Sequence, residues 1–139
     1  MRLHFSPEYA VRPLTAADVD VILALCTGNE QFYRYHPPLA TKESVLEDLS
    51  ALPPGKSAAD KHYLGFFMTK KATQGRGIGS ALIGELLDEL RKASCKKVRL
   101  AVDRGNPQSK AFWEKNGFAL MGEEFPHGDS AYLPMERAL

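Results

Sequence analysis

The chain has 139 residues, which is enough for a single domain, residues 1–139, whose core needs no disulfide or structural metal. Its formal net charge is +1 and no block of like charges occurs, which argues against nucleic acid and anionic membrane as main partners. No apolar run reaches the roughly 20 residues of a transmembrane helix and no signal-peptide segment is recognisable, so we expect a cytoplasmic protein.

The N-terminal half predicts one strand and two helices. Residues 9–12 alternate as in a strand, and Thr15 followed by Asp18 is typical of a capping box that begins a helix. The aromatic segment 27–41 predicts a loop, because its Pro-Pro pair cannot continue a helix. Thr41 predicts the N-cap of the second helix, which residues 52–57 end.

The C-terminal half predicts a further strand over residues 62–68 and then the strongest helix of the chain. That helix has apolar residues at helical spacing, which are Ile78, Ala81, Leu82, Ile83, Leu86, Leu87, Leu90 and Ala93. Residues 96–103 predict a buried strand, residues 106–117 a short helix with Asn106 as N-cap, and residues 118–124 and 131–137 two final strands. This order of elements indicates a mixed α/β fold.

A glycine-rich turn, Gln74-Gly75-Arg76-Gly77-Ile78-Gly79, directly precedes the strongest helix. A helix N-terminus presents unpaired N–H groups and the positive end of its dipole, so this turn predicts an anion site. A Walker A loop is excluded because no lysine separates Gly79 from Ser80. A dinucleotide fingerprint is excluded because Leu82 occupies its last glycine position.

The turn resembles the Gln/Arg-x-x-Gly-x-Gly/Ala pattern with which the GNAT superfamily of N-acetyltransferases wraps the pyrophosphate of acetyl-coenzyme A. The strand, loop and helix of residues 98–118 resemble the segment that follows in that family. The residues that match this second motif are Asn106, Ala111, Phe112, Glu114, Lys115, Gly117 and Phe118. The resemblance extends over essentially the whole chain and implies an α+β fold with a mixed, mostly antiparallel central sheet and about four flanking helices.

The resemblance implies an N-acetyltransferase that moves an acetyl group from acetyl-coenzyme A directly to a primary amine of a small molecule or peptide, without a metal. A non-catalytic acyl-coenzyme A-binding or regulatory domain, or a remnant that binds only a partner chain, remain alternatives. Lys70 and Lys71 could add charge near the phosphates. The candidate cofactor-binding residues are Met68, Thr69, Gln74, Gly75, Arg76, Gly77, Ile78, Gly79, Ser80, Asn106, Phe112 and Trp113.

The catalytic groups are less clear from the sequence. Trp113 occupies the position where many family members have a tyrosine acid, and an indole N–H donates a hydrogen bond without being a useful proton donor. Tyr132 is a weak substitute as the acid, and the base stays open among Glu30, His36 and His62. The family's acceptor pocket borders the aromatic segment, so the candidate pocket residues are Phe32, Tyr33, Tyr35 and His36, unless these rings only pin a loop to the core.

Residues 53–73 are too few for the three strands that the family has there, since strands average about 5 to 6 residues and need turns between them. One or two central strands are therefore expected to be missing. The sequence could omit residues of the natural chain, the gene could have a deletion, or the domain could be naturally minimal. The run Gly65-Phe66-Phe67 resembles a seam between two strands and favours the first two. With a real deletion, a partner subunit, as in a homodimer, would have to compensate.

Overall fold

A computed structural model of the protein describes residues 9–51 and 63–139. It has several helices around a mostly antiparallel sheet, which confirms the predicted α+β class. The helices are α1 Val19–Thr27, α2 Glu30–Tyr35, α3 Lys42–Asp48, α4 Ile78–Lys92 and α5 Pro107–Lys115. The strands are β1 Lys97–Asp103, β2 Ala119–Leu120, β3 Phe125–His127 and β4 Ser130–Ala138. Within the described ranges, no helix has the length and apolar character needed to cross a bilayer.

The long strand β4 lies at the centre of the sheet. On one side it pairs antiparallel with β1, in a register that runs from Lys97 opposite Ala138 to Asp103 opposite Tyr132. On its other side it pairs with β2 and β3. Because the pairing is antiparallel, the carboxyl end of β1 lies beside the amino end of β4. Asp103 and Tyr132 are thereby brought together at one end of this strand pair.

The core forms between the sheet and helices α4 and α5. Its buried residues are Ile83, Leu87, Leu90, Cys95, Val98, Leu100, Val102, Trp113, Phe118 and Met135. Burial of a large apolar side chain contributes about 1.5–3 kcal/mol, so this cluster is the main source of stability. The buried face of α4 is centred on Ile83, Leu87 and Leu90, whereas the predicted face also included Ala81 and Ala93, which are exposed.

Local start and stop signals are confirmed where they were predicted. The backbone N–H of Thr15 donates to the Asp18 carboxylate at 2.9 Å, and a short 3₁₀ turn, Ala16–Asp18, leads into α1. Asn106 caps α5 by accepting from the Ser109 N–H at 3.1 Å. Gly117 follows α5 with a φ of +81°, a left-handed conformation that favours glycine at the end of a helix.

Three predicted elements differ from the structure. Residues 9–12 are not a strand, because no neighbouring strand among the described residues pairs with them. The aromatic segment predicted as a loop contains the short helix α2. Two strands were expected at the C-terminus and three are found, since Pro126 in β3 is accommodated at the edge of the sheet, where a missing N–H is tolerated.

The strand predicted over residues 62–68 is also wrong for its described part. Tyr63 forms one isolated parallel bridge with Arg99, and residues 64–70 have no regular structure. The expected shortage of strands agrees with these described residues. Residues 52–62, including His62, lie outside the described part of the chain, so the cause of the shortage stays open.

Candidate active site

A cleft of about 310 Å³ is bordered by residues 67–69, the glycine turn and helix α5. The N–H of Leu64 donates to the carbonyl oxygen of Arg99 at 2.9 Å, next to the Tyr63–Arg99 bridge. Beyond it, the described residues show no further backbone pairing between residues 65–70 and β1. The stretch that borders the cleft therefore follows the last backbone contact with β1.

Most of the predicted cofactor residues line this cleft. They are Met68, Thr69, Gln74, Gly75, Gly77, Ile78, Gly79, Ser80, Asn106, Phe112 and Trp113. Arg76 is exposed and is not among the lining residues. Lining residues that were not predicted as cofactor ligands include Asn29, Gln31, Phe67, Thr73, Gln108 and Ser109. Lys71 and Lys115 add positive charge to the wall, and Glu30 adds a carboxylate.

The glycines of the turn have two different structural roles. Gly75 and Gly77 have φ values of +77° and +76°, and the left-handed conformation costs other residues about 1–2 kcal/mol. Gly77 is also the N-cap of α4, so the N–H groups of the first turn have no acceptor within the helix. Gly79 is needed for close packing, because a Cβ there would lie 3.2 Å from the Phe112 ring. The turn therefore combines free amide donors with a tightly packed base.

Helix α5 braces the start of α4. The side-chain amide of Asn116 donates to the Ser80 hydroxyl at 3.1 Å and to the Phe112 carbonyl oxygen at 2.8 Å. The capping bond from Asn106 orients the start of α5, and Asn106 itself is buried. These contacts fix the N-termini of two helices whose first turns line the cleft.

Asn29 connects the glycine turn to the N-terminal helices, and the sequence analysis missed it. Gln74 Nε2 donates to Asn29 Oδ1 at 2.7 Å and to the Thr69 carbonyl oxygen at 3.1 Å. Asn29 Nδ2 in turn donates to the Leu25 carbonyl oxygen at 2.8 Å. Asn29 is buried, so its own bonds with Gln74 and Leu25 are partly shielded from water, whereas the bond from Gln74 to Thr69 is exposed. No motif marks this asparagine, since its partner lies 45 positions away.

The predicted pocket residues form an aromatic cluster that only partly borders the cleft. Phe32 lines the cleft, and its ring centroid lies 5.2 Å from that of His36 and 5.9 Å from that of Phe66. Tyr33, Tyr35 and His36 do not line it. Tyr35 lies close to the turn that follows β1, where a Cβ on Gly105 would come within 4.0 Å of its ring.

His36 is held by a buried carboxylate. Its Nδ1 lies 3.0 Å from Asp103 Oδ1 and 3.1 Å from Oδ2, and Asp103 is only 7% exposed. The hydrogen bond with Asp103 raises the pKa of His36, although burial of the ring opposes this. His36 also stacks on His127 at 6.2 Å between ring centroids and lies 6.0 Å from the ring of Tyr132.

The two acid candidates occupy different environments. Trp113 is only 7% exposed and packs edge to face against Phe112 and Phe118, so most of its surface belongs to the core. Tyr132 stacks on His127 at 4.6 Å and is not among the lining residues of the cleft. Burial raises the pKa of Tyr132, and the negative charge of Asp103 adds to this rise.

Residues 17–118 match the family model of the acetyltransferase (GNAT) family, which is most of the chain. The chain belongs to the GNAT acetyltransferase family. GNAT proteins are acyltransferases that use acetyl-coenzyme A and act on an acceptor substrate. A comparison with curated protein sequences finds no match.

Solved structures of GNAT proteins share the fold. The PaiA N-acetyltransferase of Thermoplasma acidophilum in complex with coenzyme A is 20% identical with a TM-score of 0.64, and the match covers 92% of this chain and 97% of that one. An acetyltransferase of Thermus thermophilus is 19% identical with a TM-score of 0.68, covering 92% and 95%. A GCN5-related N-acetyltransferase of Rhodopseudomonas palustris is 16% identical with a TM-score of 0.67, covering 100% and 99%. At these identities the likeness concerns the fold.

Proposed function

We propose that this protein transfers the acetyl group of acetyl-coenzyme A to a primary amine of a small molecule or peptide, by direct attack within a ternary complex. The main support is the cleft of about 310 Å³ that begins at the N-terminus of α4 and continues between residues 67–69 and α5. Its extent from residues 67–69 to the glycine turn suits an elongated ligand with an anionic group at one end.

The residues at that end fit a pyrophosphate. The amide groups that open α4 have no intrahelical acceptor, and the helix dipole favours an anion there by about 0.3–1 kcal/mol. Gly75 and Gly77 have no Cβ that would keep a phosphate away from the backbone. Lys71 and Lys115 line the same cleft and supply positive charge. These features support the assignment of the turn to the pyrophosphate of coenzyme A.

The remainder of the cleft suits the pantetheine arm and the thioester. Phe67 and Phe112 form an apolar wall in which the ring centroids lie 5.8 Å apart. Met68 and Thr69 border the cleft, so we assign the backbone N–H of one of them to the thioester carbonyl. Bonds from Asn29 and Gln74 to the Thr69 carbonyl oxygen keep this stretch of backbone in one orientation.

The chemistry then depends on positioning. Acetyl-coenzyme A supplies the activated acetyl group, and the amine nitrogen attacks its carbonyl carbon, so that a C–N bond forms and the C–S bond breaks. Holding both reactants in contact can replace several kcal/mol of the barrier, about 7–11 at most. A backbone N–H directed at the developing oxyanion adds about 2.7–4 kcal/mol in well-studied enzymes.

The test combines binding and turnover. Calorimetry with coenzyme A and acetyl-coenzyme A should show one site per chain, and thiol release should depend on an amine from a panel of polyamines, amino acids, aminoglycosides and lysine peptides. Gly77→Ala should weaken coenzyme binding, because its φ of +76° disfavours any side chain. Gly84→Ala is the matched control, since Gly84 lies in the same helix with nothing within 4 Å of an added Cβ. Binding without turnover on any amine would favour a non-catalytic acyl-coenzyme A-binding domain, and absence of binding would contradict both functions.

A further inference from the structure

The His36–Asp103 pair lies next to residues of the cleft. The ring centroid of Phe32, which lines the cleft, is 5.2 Å from that of His36. Asn106, which also lines the cleft, follows Asp103 closely in the chain, and its N–H donates to the Asp103 carbonyl oxygen at 3.2 Å. Each member of the pair is therefore adjacent to a lining residue of the cleft.

We propose that His36 accepts the proton of the substrate ammonium and that Asp103 is its positioning residue. This inference rests on the proposed acetyl transfer. It selects His36 from the three candidate bases, of which Glu30 lines the cleft itself and is exposed.

Asp103 determines which nitrogen of His36 is available. An ionised carboxylate can only accept hydrogen bonds, so the nitrogen that contacts it, Nδ1, must have the hydrogen. In the neutral ring the lone pair is then on Nε2, as a proton acceptor requires. The side chain of His36 is 34% exposed while that of Asp103 is 8% exposed, so the imidazole is open to solvent and its carboxylate partner is not.

The surroundings of His36 restrict the ring further. Besides Asp103 on β1, the titratable or charged groups that face it are His127 on β3, Tyr132 on β4, Tyr33 on α2 and, through its charge, Asp48 at the end of α3. The rings of His127 and Tyr132 stack on each other at 4.6 Å and fill one side. This packing limits rotation of the imidazole and favours one orientation for the proton transfer.

A primary ammonium has a pKa near 10.4 and must lose a proton before its nitrogen can attack. Nε2 of His36 takes that proton, the amine nitrogen forms the C–N bond, and the C–S bond breaks. The second proton on the nitrogen passes to the departing thiolate sulfur. The products are the acetylated amine, the free thiol of coenzyme A and one proton that His36 releases to water.

The pair predicts a pH dependence. His36 must be neutral to act, so kcat/KM should rise with pH through the pKa of His36. The hydrogen bond with Asp103 raises that pKa above its ordinary value of about 6.5. Asp103→Asn should move the rise to lower pH. Glu124→Gln is the matched control, because it removes a carboxylate that is paired with Arg104 at an exposed position and that forms no hydrogen bond or ion pair with His36.

The experiment measures pH profiles of kcat/KM for the wild-type protein and for His36→Gln, Asp103→Asn, Glu30→Gln and Glu124→Gln, with the best amine of the panel. NMR titration of the His36 ring in the free protein gives an independent pKa. We expect His36→Gln to lower kcat by about 10²–10⁴-fold and to abolish the acid limb, while the Kd for coenzyme A stays within about twofold. We expect the pKa that describes the acid limb of the wild-type profile to agree with the pKa of His36 from the NMR titration. Both values should fall in Asp103→Asn.

Three outcomes would overturn the proposal. The first is a His36→Gln protein that keeps its rate and the acid limb of its pH profile. The second is an acid limb whose pKa differs from the pKa of His36 in the NMR titration. The third is loss of the acid limb in Glu30→Gln, which would assign the base to Glu30. Each of them leaves the acetyltransferase function intact. A wild-type protein that binds acetyl-coenzyme A without acetylating any amine would refute the function itself, and the role of His36 with it. If His36→Gln does not fold, as judged by circular dichroism, Asp103→Asn and the NMR titration decide.

Discussion

Replacement of Gly79 by leucine gives the most direct test of the cleft. Gly79 lies in the first turn of α4, and a Cβ there would be 3.2 Å from Cε2 and 3.3 Å from Cζ of Phe112, and 3.6 Å from the Phe67 ring. These two rings form the apolar wall of the cleft, so a leucine must displace them or fill the space between them. Gly79→Leu therefore perturbs the proposed coenzyme site by volume alone, since the backbone N–H is retained.

Gly84→Leu separates this effect from helix propensity. Gly84 lies in the same helix and has nothing within 4 Å of an added Cβ. Both variants also gain helix propensity, because glycine is about 0.8–1 kcal/mol less favourable than alanine in a helix interior and leucine ranks just below alanine. Only Gly79→Leu adds overpacking, which typically costs about 1–3 kcal/mol. The free energies of unfolding of the two variants should therefore differ by about that amount, which urea denaturation measures.

Coenzyme binding should separate the two variants more strongly than stability. We expect the Kd for coenzyme A, measured by calorimetry, to rise at least tenfold in Gly79→Leu, which corresponds to about 1.4 kcal/mol. Gly84→Leu should bind as the wild-type protein does. If Gly79→Leu binds coenzyme A within about twofold of Gly84→Leu while remaining folded, the assignment of the glycine turn and the Phe67–Phe112 wall to the coenzyme is refuted.

Three further changes test other parts of the structure. Asn29→Ala should lower the free energy of unfolding in urea by about 1–3 kcal/mol and weaken coenzyme binding, because it removes a buried side chain that accepts from Gln74 at 2.7 Å and donates to the Leu25 carbonyl oxygen at 2.8 Å; unchanged affinity would contradict its positioning role. Trp113→Ala should cost about 3–5 kcal/mol, since the ring is 7% exposed in the core, and a smaller loss would indicate a peripheral ring. The hydrogen bond from Arg12 lowers the pKa of Asp18, so its contribution to stability is present above the unfolded pKa near 3.9 and is lost as the pH falls through the lower folded value. The Tm difference between wild type and Asp18→Asn should shrink below about pH 4, and a difference that grows in acid would refute this pairing.

Short-range signals predicted the parts of the fold that depend on neighbouring residues. The capping bond at Thr15, the N-cap at Asn106 and the left-handed Gly117 all involve partners within one helical turn, and all three were predicted from their local pattern. The strand predicted over residues 9–12 was wrong because a strand also needs a partner strand, which local pattern does not supply. Helix α2 was missed because its aromatic residues have only modest helix propensity.

From the sequence alone, the family, the glycine turn and most residues of the cleft could be identified, because the turn and the helix after it are encoded by consecutive residues. The tertiary structure decided what surrounds them. Asn29 and Gln74 form a hydrogen bond although they are 45 positions apart in the sequence, and His36 and Asp103 do so at 67 positions apart. No local sequence pattern predicts these contacts. Antiparallel pairing of β1 with β4 brings Asp103 beside Tyr132, and the packing of α2 then places His36 next to the carboxylate. The proposed anion site thus follows from local backbone geometry, whereas the candidate base depends on side chains that only folding brings together.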